Sequence, residues 1–259
     1  VPSGATVIAV SYSGNTVETV SGLIEAIDAG LPVAAVSTGG EVGDLVAGTG
    51  APMVTVPGGL QPRAALGYQV AATAALLAAT GAIADPSRDL AEAAGIAQQL
   101  LGDGSGPGWA LGADLGEALF DRIPLVIGGG GVAGLAAGRW ATQFHENAKR
   151  VAFAAPIPEM NHNLLEALAA DSTAPGRFGV VGLLDPAGTP TNVRRISLTL
   201  DRLGSSADRT GEVIAQGNGA LARAVSLIVV GDVASVILAE HLGVDPTPVD
   251  ALEDFKRSL

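Results

Sequence analysis

Four short stretches of the chain carry residue types that chemistry needs. The first is Ser11-Tyr12-Ser13-Gly14-Asn15-Thr16, followed by Val17 and Glu18. It falls where an apolar run, Thr6–Ser11, gives way to Val17, Val20, Leu23, Ile24 and Ile27 at helical spacing. A helix start offers unpaired N–H groups and the positive end of the helix dipole, and both favour a phosphate. Ser11, Ser13 and Thr16 add hydroxyls and Gly14 lets the backbone approach a ligand, so Ser11, Ser13, Asn15 and Thr16 form a candidate phosphate-binding set. A structural alternative stands beside it, because Asn15 with Glu18 three residues on is a capping box. The second stretch is Pro57-Gly58-Gly59-Leu60-Gln61-Pro62-Arg63. It places Arg63 in the first turn of an otherwise apolar helix, where a guanidinium can hold an oxyanion or lie at the surface.

The third stretch is His145-Glu146-Asn147-Ala148-Lys149 and the fourth is Pro158-Glu159-Met160-Asn161-His162-Asn163. Glu146 lies in the last turn of a helix rich in Ala, Leu, Trp and Phe, where a carboxylate out of water can act as a base. His162 between two Asn is a candidate acid/base group. The bland alternative makes Glu146 and Lys149 a solvated helix end and His162 the neighbour of a helix cap. A zinc site fits poorly, since no His-Glu-x-x-His spacing occurs among the three His. Lys256 lies in the last turn, Asp254-Phe255-Lys256-Arg257, and composition alone does not single it out.

These groups need elements to hold them, and the pattern alternates strand and helix. Strands are expected at Thr6–Ser11, Val33–Ser37, Met53–Val56, Pro124–Ile127 and near 151–155, 178–184 and 193–200. Helices are expected from Val17 to a Gly30 stop, over 41–48, Pro62–Thr80, Ser87–Leu101, from about Trp109 to Asp121, from the Gly128–Gly131 run to Arg150, and near 160–170, 218–242 and 248–258. Strands that are apolar throughout and separated by helices indicate parallel sheets covered on both faces. The fold class is therefore α/β, doubly wound, in two halves. Gly102-Asp-Gly-Ser-Gly-Pro107 is the linker candidate, giving domains 1–104 and 105–259. The Gly128–Gly131 run lacks hydroxyls and reads as a tight structural turn.

Composition closes off other classes. The 259 residues include 36 Gly and no Cys, which removes disulfides, thiol catalysis and cysteine metal sites. A net charge of −12 argues against nucleic acid or an anionic membrane as partner. It also means that an anionic substrate needs a local set of donors. The apolar runs Val70–Thr80 and Ala224–Val230 are too short to span a bilayer.

Taken in order, the motifs at 11–16, 61–63, 146–149 and 158–163, with Gly231-Asp232, Asp245-Pro-Thr-Pro-Val249 and Phe255-Lys256, resemble the bifunctional phosphoglucose/phosphomannose isomerase family. That family is built from two sugar-isomerase (SIS) domains, flavodoxin-like in architecture. The resemblance covers essentially the whole chain. It implies an aldose–ketose isomerase that interconverts mannose 6-phosphate or glucose 6-phosphate with fructose 6-phosphate through a cis-enediol. In it Ser11, Ser13 and Thr16 hold the phosphate, Glu146 moves the proton between C1 and C2, and Arg63 stabilises the enediolate. His162 and Lys256 assist ring opening. It implies no metal or other cofactor, a cytoplasmic location, and a homodimer in which His162 lies far from Glu146 of its own subunit and completes its neighbour's site. It also implies a first strand and a Gly-Gly-Ser phosphate loop before Val1, so the chain reads as lacking its N-terminal part, with the first domain incomplete. Two positions depart from the family pattern: His145 where Asn is usual, and Leu164 where Glu often follows the Asn-His-Asn. A non-catalytic sugar-phosphate-binding SIS protein, a sensor or regulator, is the alternative.

Overall fold

The apolar runs become the strands of two separate sheets. In the computed structural model, which describes residues 4–171, 176–204 and 209–258, the chain forms two compact units, Val1–Arg88 and Asp89–Leu259. In the first, β1 (Val7–Val10), β2 (Val33–Ser37) and β3 (Met53–Thr55) lie parallel in that order, connected by α1 (Val17–Asp28) and α2 (Gly40–Thr49). Val7 pairs with Val33 and Ala35 with Met53. Every residue of β2 is buried, which is why it shows no polar alternation. Its alternate residues serve the two faces. Ala35 clusters with Leu23, Val42 and Val46 of α1 and α2, while Ala34 and Val36 cluster with Ala72 and Leu76 of α3 (Leu66–Ala79). The expected long helix from Pro62 opens as a 3-10 turn, Pro62–Ala65, before α3 begins.

In the second unit, α4 (Ser87–Leu101) and α5 (Pro107–Ala118) precede β4 (Ile123–Gly128), α6 (Val132–Glu146), β5 (Phe153–Pro156) and α7 (Leu164–Ala170). Then come β6 (Phe178–Leu184), α8 (Pro190–Gly204), β7 (Arg209–Ile214), α9 (Ala220–Leu242) and α10 (Asp250–Arg257). The strands are parallel in the order β5-β4-β6-β7. The chain steps outward from β4 to β5, then returns past β4 to β6, so the winding reverses and the two sets of helices fall on opposite faces. Leu168, Ile196, Leu200 and Leu203 of α7 and α8 pack on Leu125, Ile127 and Val180. The Gly102–Pro107 stretch turns between α4 and α5. α4 is tied into this unit by Glu92, whose carboxylate accepts from the Asn218 N–H at 2.6 Å and the Gly219 N–H at 3.1 Å, at the start of α9.

Three expectations change. Residues 193–200 are not a strand but part of α8, and β7 supplies the fourth strand. Ile196, Leu198 and Leu200 alternate as a strand would, yet Leu198 is 55% exposed, while Ile196, Leu200 and Leu203 reach the core at helical spacing. The helix expected to run to Arg150 stops at Glu146, and Lys149 takes a positive φ of 51°. Third, the apolar run at 224–230, by itself too short to span a bilayer, lies within the helix expected near 218–242, which forms as α9 and whose 23 residues are long and apolar enough to cross a membrane by length and composition. α9 is a core helix: Leu227, Val230, Ala234 and Leu238 are buried. α5 lies tightly against it, because a Cβ on Gly112 would come 2.7 Å from the Val230 carbonyl oxygen, and one on Gly116 would come 2.7 Å from that of Ala234.

Candidate active site

The loop after β1 is built as a cradle. Ser11 is buried, and its Oγ lies 2.9 Å from Thr16 Oγ1 and accepts from the Gly14 N–H at 3.1 Å. Ser13 Oγ accepts from the Asn15 N–H at 3.2 Å. Gly14 has a φ of 74°, and a side chain there would collide with the Gly39 carbonyl and lie 2.8 Å from Ser37 Oγ. Only glycine meets both demands. The capping box does not form. Thr16 occupies the N-cap of α1 without a side-chain bond to the helix, and Asn15 Oδ1 accepts instead from the Glu41 N–H of α2 at 3.0 Å. The first N–H groups of α1 therefore carry no side-chain cap, beside the hydroxyls of Ser11, Ser13 and Thr16.

Tyr12 links this loop to the next motif. Its hydroxyl donates to the Pro57 carbonyl at 2.9 Å and accepts from the Leu60 N–H at 3.0 Å. The loop that leads to Arg63 is thus held from the β1 edge, although 45 residues separate Tyr12 from Pro57. Arg63 is half-buried in the 3-10 turn, with Nη1 donating to Gln61 Oε1 at 3.4 Å. Ser11–Thr16 and Arg63 are brought to the same edge of the first sheet, beyond the carboxyl ends of β1 and β3, where open α/β sheets bind ligands.

In the second unit, Glu146 is half-buried as the last residue of α6. Three side-chain bonds fasten this helix to α9. Arg139 Nη2 donates to Asp232 Oδ2 at 2.9 Å, Trp140 Nε1 to the Leu227 carbonyl at 2.9 Å, and Asn147 Nδ2 to Ser235 Oγ at 2.8 Å. Gly231 leaves room for the Trp140 ring, which gives the Gly231-Asp232 pair a packing role. His145 Nε2 lies 2.9 Å from the Ala152 carbonyl oxygen. The Gly128–Gly131 run serves close packing, since a Cβ on Gly128 would meet the Ala133 backbone and one on Gly134 that of Gly129.

His162 is exposed at the end of a 3-10 turn, Glu159–His162, that follows β5. Asn163 caps α7 by accepting from the Leu164 N–H, and Asn161 Nδ2 donates to Thr199 Oγ1 at 2.8 Å. α6 runs back from the carboxyl edge of the sheet to its amino edge, so Glu146 lies before β5 while His162 lies after it. A 15-residue helix covers about 22 Å at 1.5 Å per residue, so the two groups of one chain stand at opposite edges of the sheet. Lys256 is exposed on α10, a helix with no buried residue. Among the described residues no group of three or more His, Cys, Asp or Glu is gathered as a metal site would need.

The chain has relatives of known family. The chain is 32% identical to the bifunctional phosphoglucose/phosphomannose isomerase of Caldicellulosiruptor bescii over 100% of its own length and 77% of the relative's. The chain belongs to the bifunctional phosphoglucose/phosphomannose isomerase family. A second family member, from Thermoplasma acidophilum, is 33% identical over 97% of this chain and 75% of its own. Residues 111–259 match the model of the bacterial phospho-glucose isomerase C-terminal SIS domain. A glucose-6-phosphate isomerase like protein from Thermus thermophilus shares the fold, with a TM-score of 0.61 and 21% identity over 99% of this chain and 87% of that one.

Two residues with no role assigned from sequence make connections around the candidate site. Tyr12 sits inside the first motif, and its signal is chemical: one of two Tyr in the chain, placed between two Ser at a strand end. Lys149 is exposed, as expected of a solvated helix end, and its ammonium also lies on the carbonyl oxygens of Glu146 and Pro246.

Proposed function

We propose that this protein is an aldose–ketose isomerase that interconverts glucose 6-phosphate and mannose 6-phosphate with fructose 6-phosphate. The observation that carries the reading is the Ser11–Thr16 cradle, with three hydroxyls and an uncapped helix start at the carboxyl edge of a parallel sheet. Such a site takes a phosphate dianion in spite of the net charge of −12. Glu146 takes the proton from C2 of the open-chain aldose and returns it to C1, passing through a cis-enediol. Arg63 balances the negative charge that grows on the oxygen, a type of interaction that contributes about 3–4 kcal/mol to a transition state. Lys256 and His162 transfer protons during ring opening. The two aldoses differ at C2 alone, so one planar enediol serves both when the sugar turns before reprotonation.

His162 and Glu146 stand at opposite edges of one sheet. The reading therefore assigns to each site a His162 from a second copy, in a cytoplasmic homodimer. No step in this scheme calls for a metal or other cofactor.

The test is a coupled assay with each sugar phosphate. Turnover of both aldoses is expected, and Glu146→Gln is expected to lower kcat about 10²–10⁴-fold with little change in KM. Turnover unchanged by Glu146→Gln would overturn the role of Glu146. Tight sugar-phosphate binding by calorimetry with no turnover would replace the enzyme by a sensor.

A further inference from the structure

The last four carbonyls of a helix have no partner within it. At the end of α6 one of them belongs to Glu146, and Lys149 turns back to meet it. Lys149 Nζ donates to the Glu146 carbonyl at 2.8 Å and lies 3.5 Å from that of Asn147. The same ammonium donates at 3.2 Å to the carbonyl of Pro246, 97 residues further on. Pro246 lies in the short stretch between α9 and α10, and α10 carries Lys256. Lys149 does this from a φ of 51°. Conformation alone favours Gly at such a position. What Gly does not bring is the ammonium, whose three rotatable donors suit several carbonyls at once. Its neighbour Asn147 is buried and bonded to Ser235 of α9, so the end of α6 is fixed from two sides.

We propose that Lys149 is a positioning residue for the isomerisation. One ammonium fastens the helix end that bears Glu146 to the chain that leads to Lys256, and so holds the proton-transfer base and the ring-opening lysine in a fixed relation. The inference rests on the roles given above to Glu146 and Lys256. It differs from them in that Lys149 touches neither substrate nor reacting atoms, and acts through backbone carbonyls.

Two variants separate the turn from the charge. Lys149→Gly keeps the left-handed turn and removes the ammonium, and Lys149→Met removes the ammonium while keeping a long side chain. For both, kcat is expected to fall about tenfold with KM within about twofold of the parent, the pattern of a displaced base with intact ground-state binding. Ethylammonium in the buffer is expected to restore part of the kcat of Lys149→Gly. Hydrogen exchange, followed by mass spectrometry, is expected to quicken in two segments together, 145–150 and 244–249. A Lys149→Gly kcat within twofold of the parent overturns the proposal, as does unchanged exchange at 244–249. If the parent protein turned over no sugar phosphate, the functional reading would fail by itself, and the exchange experiment would still decide whether Lys149 joins the two segments.

Discussion

Residues in the first motif differ in what they do, although the sequence groups them together. Ser11 and Thr16 bond each other, Gly14 exists for the close approach to Gly39, and Asn15 reaches across to α2. Tyr12 holds the 57–60 loop that leads to Arg63. Tyr12→Phe keeps the ring and deletes both bonds, at a cost of about 1–3 kcal/mol if the Leu60 N–H and Pro57 carbonyl stay unpaired. The expected outcome is a modest loss in denaturant midpoint with a clear fall in kcat/KM, since Arg63 loses its support. Kinetics equal to the parent's would remove Tyr12 from the site. Gly14→Ala is expected to be more severe, combining a positive φ with a backbone collision, and to abolish sugar-phosphate binding measured by calorimetry.

Among the elements, α6, α5 and α9 are joined by small residues. Gly231 of α9 admits the indole of Trp140, and Gly112 and Gly116 of α5 admit the backbone of α9. These glycines lie inside helices, where they weaken the helix itself, so their use is close packing. Gly231→Ala is expected to lower stability by about 1–3 kcal/mol through overpacking, read as a lower thermal midpoint. Because α6 ends in Glu146, activity is expected to fall at temperatures where the variant is still folded. An unchanged midpoint would mean that the Trp140 ring has freedom to move. α8 shows how an element is misread. Its apolar residues fit both a period of two and a period near 3.6, and the exposed Leu198 chooses between them.

At the scale of the whole molecule, the Arg139–Asp232 pair couples packing to pH. Burial raises the Asp232 carboxyl above its ordinary value of 3.8, while Arg139 and Gln143 draw it the other way. The folded protein therefore binds this proton more tightly than the unfolded chain does. The stability this group contributes is full below the unfolded value of 3.8 and is lost as pH rises through the raised folded value. Comparing the parent with Asp232→Asn by urea denaturation at several pH values isolates the effect. The parent's advantage over the variant is expected to be largest at the acid end and to shrink toward neutrality. An advantage that grows with pH would reverse the assignment.

The alternation of elements, the parallel sheets and the stretches that carry the candidate residues Ser11–Thr16, Arg63, Glu146 and His162 were legible in the sequence, whereas Lys256 is singled out by the family resemblance alone. Strand and helix periods are local properties, and a hydroxyl-rich turn at a strand end is written in consecutive residues. Tertiary structure alone decided that Asn15 bonds α2 rather than capping its own helix, that 193–200 is helical, and that Lys149 reaches Pro246. Each of these depends on which distant backbone comes near, through pairings 26 and 97 residues apart in the first and last cases. Local pattern constrains the chain to a few conformations per segment. Burial and the need to satisfy polar groups, which act across the folded molecule, select among them.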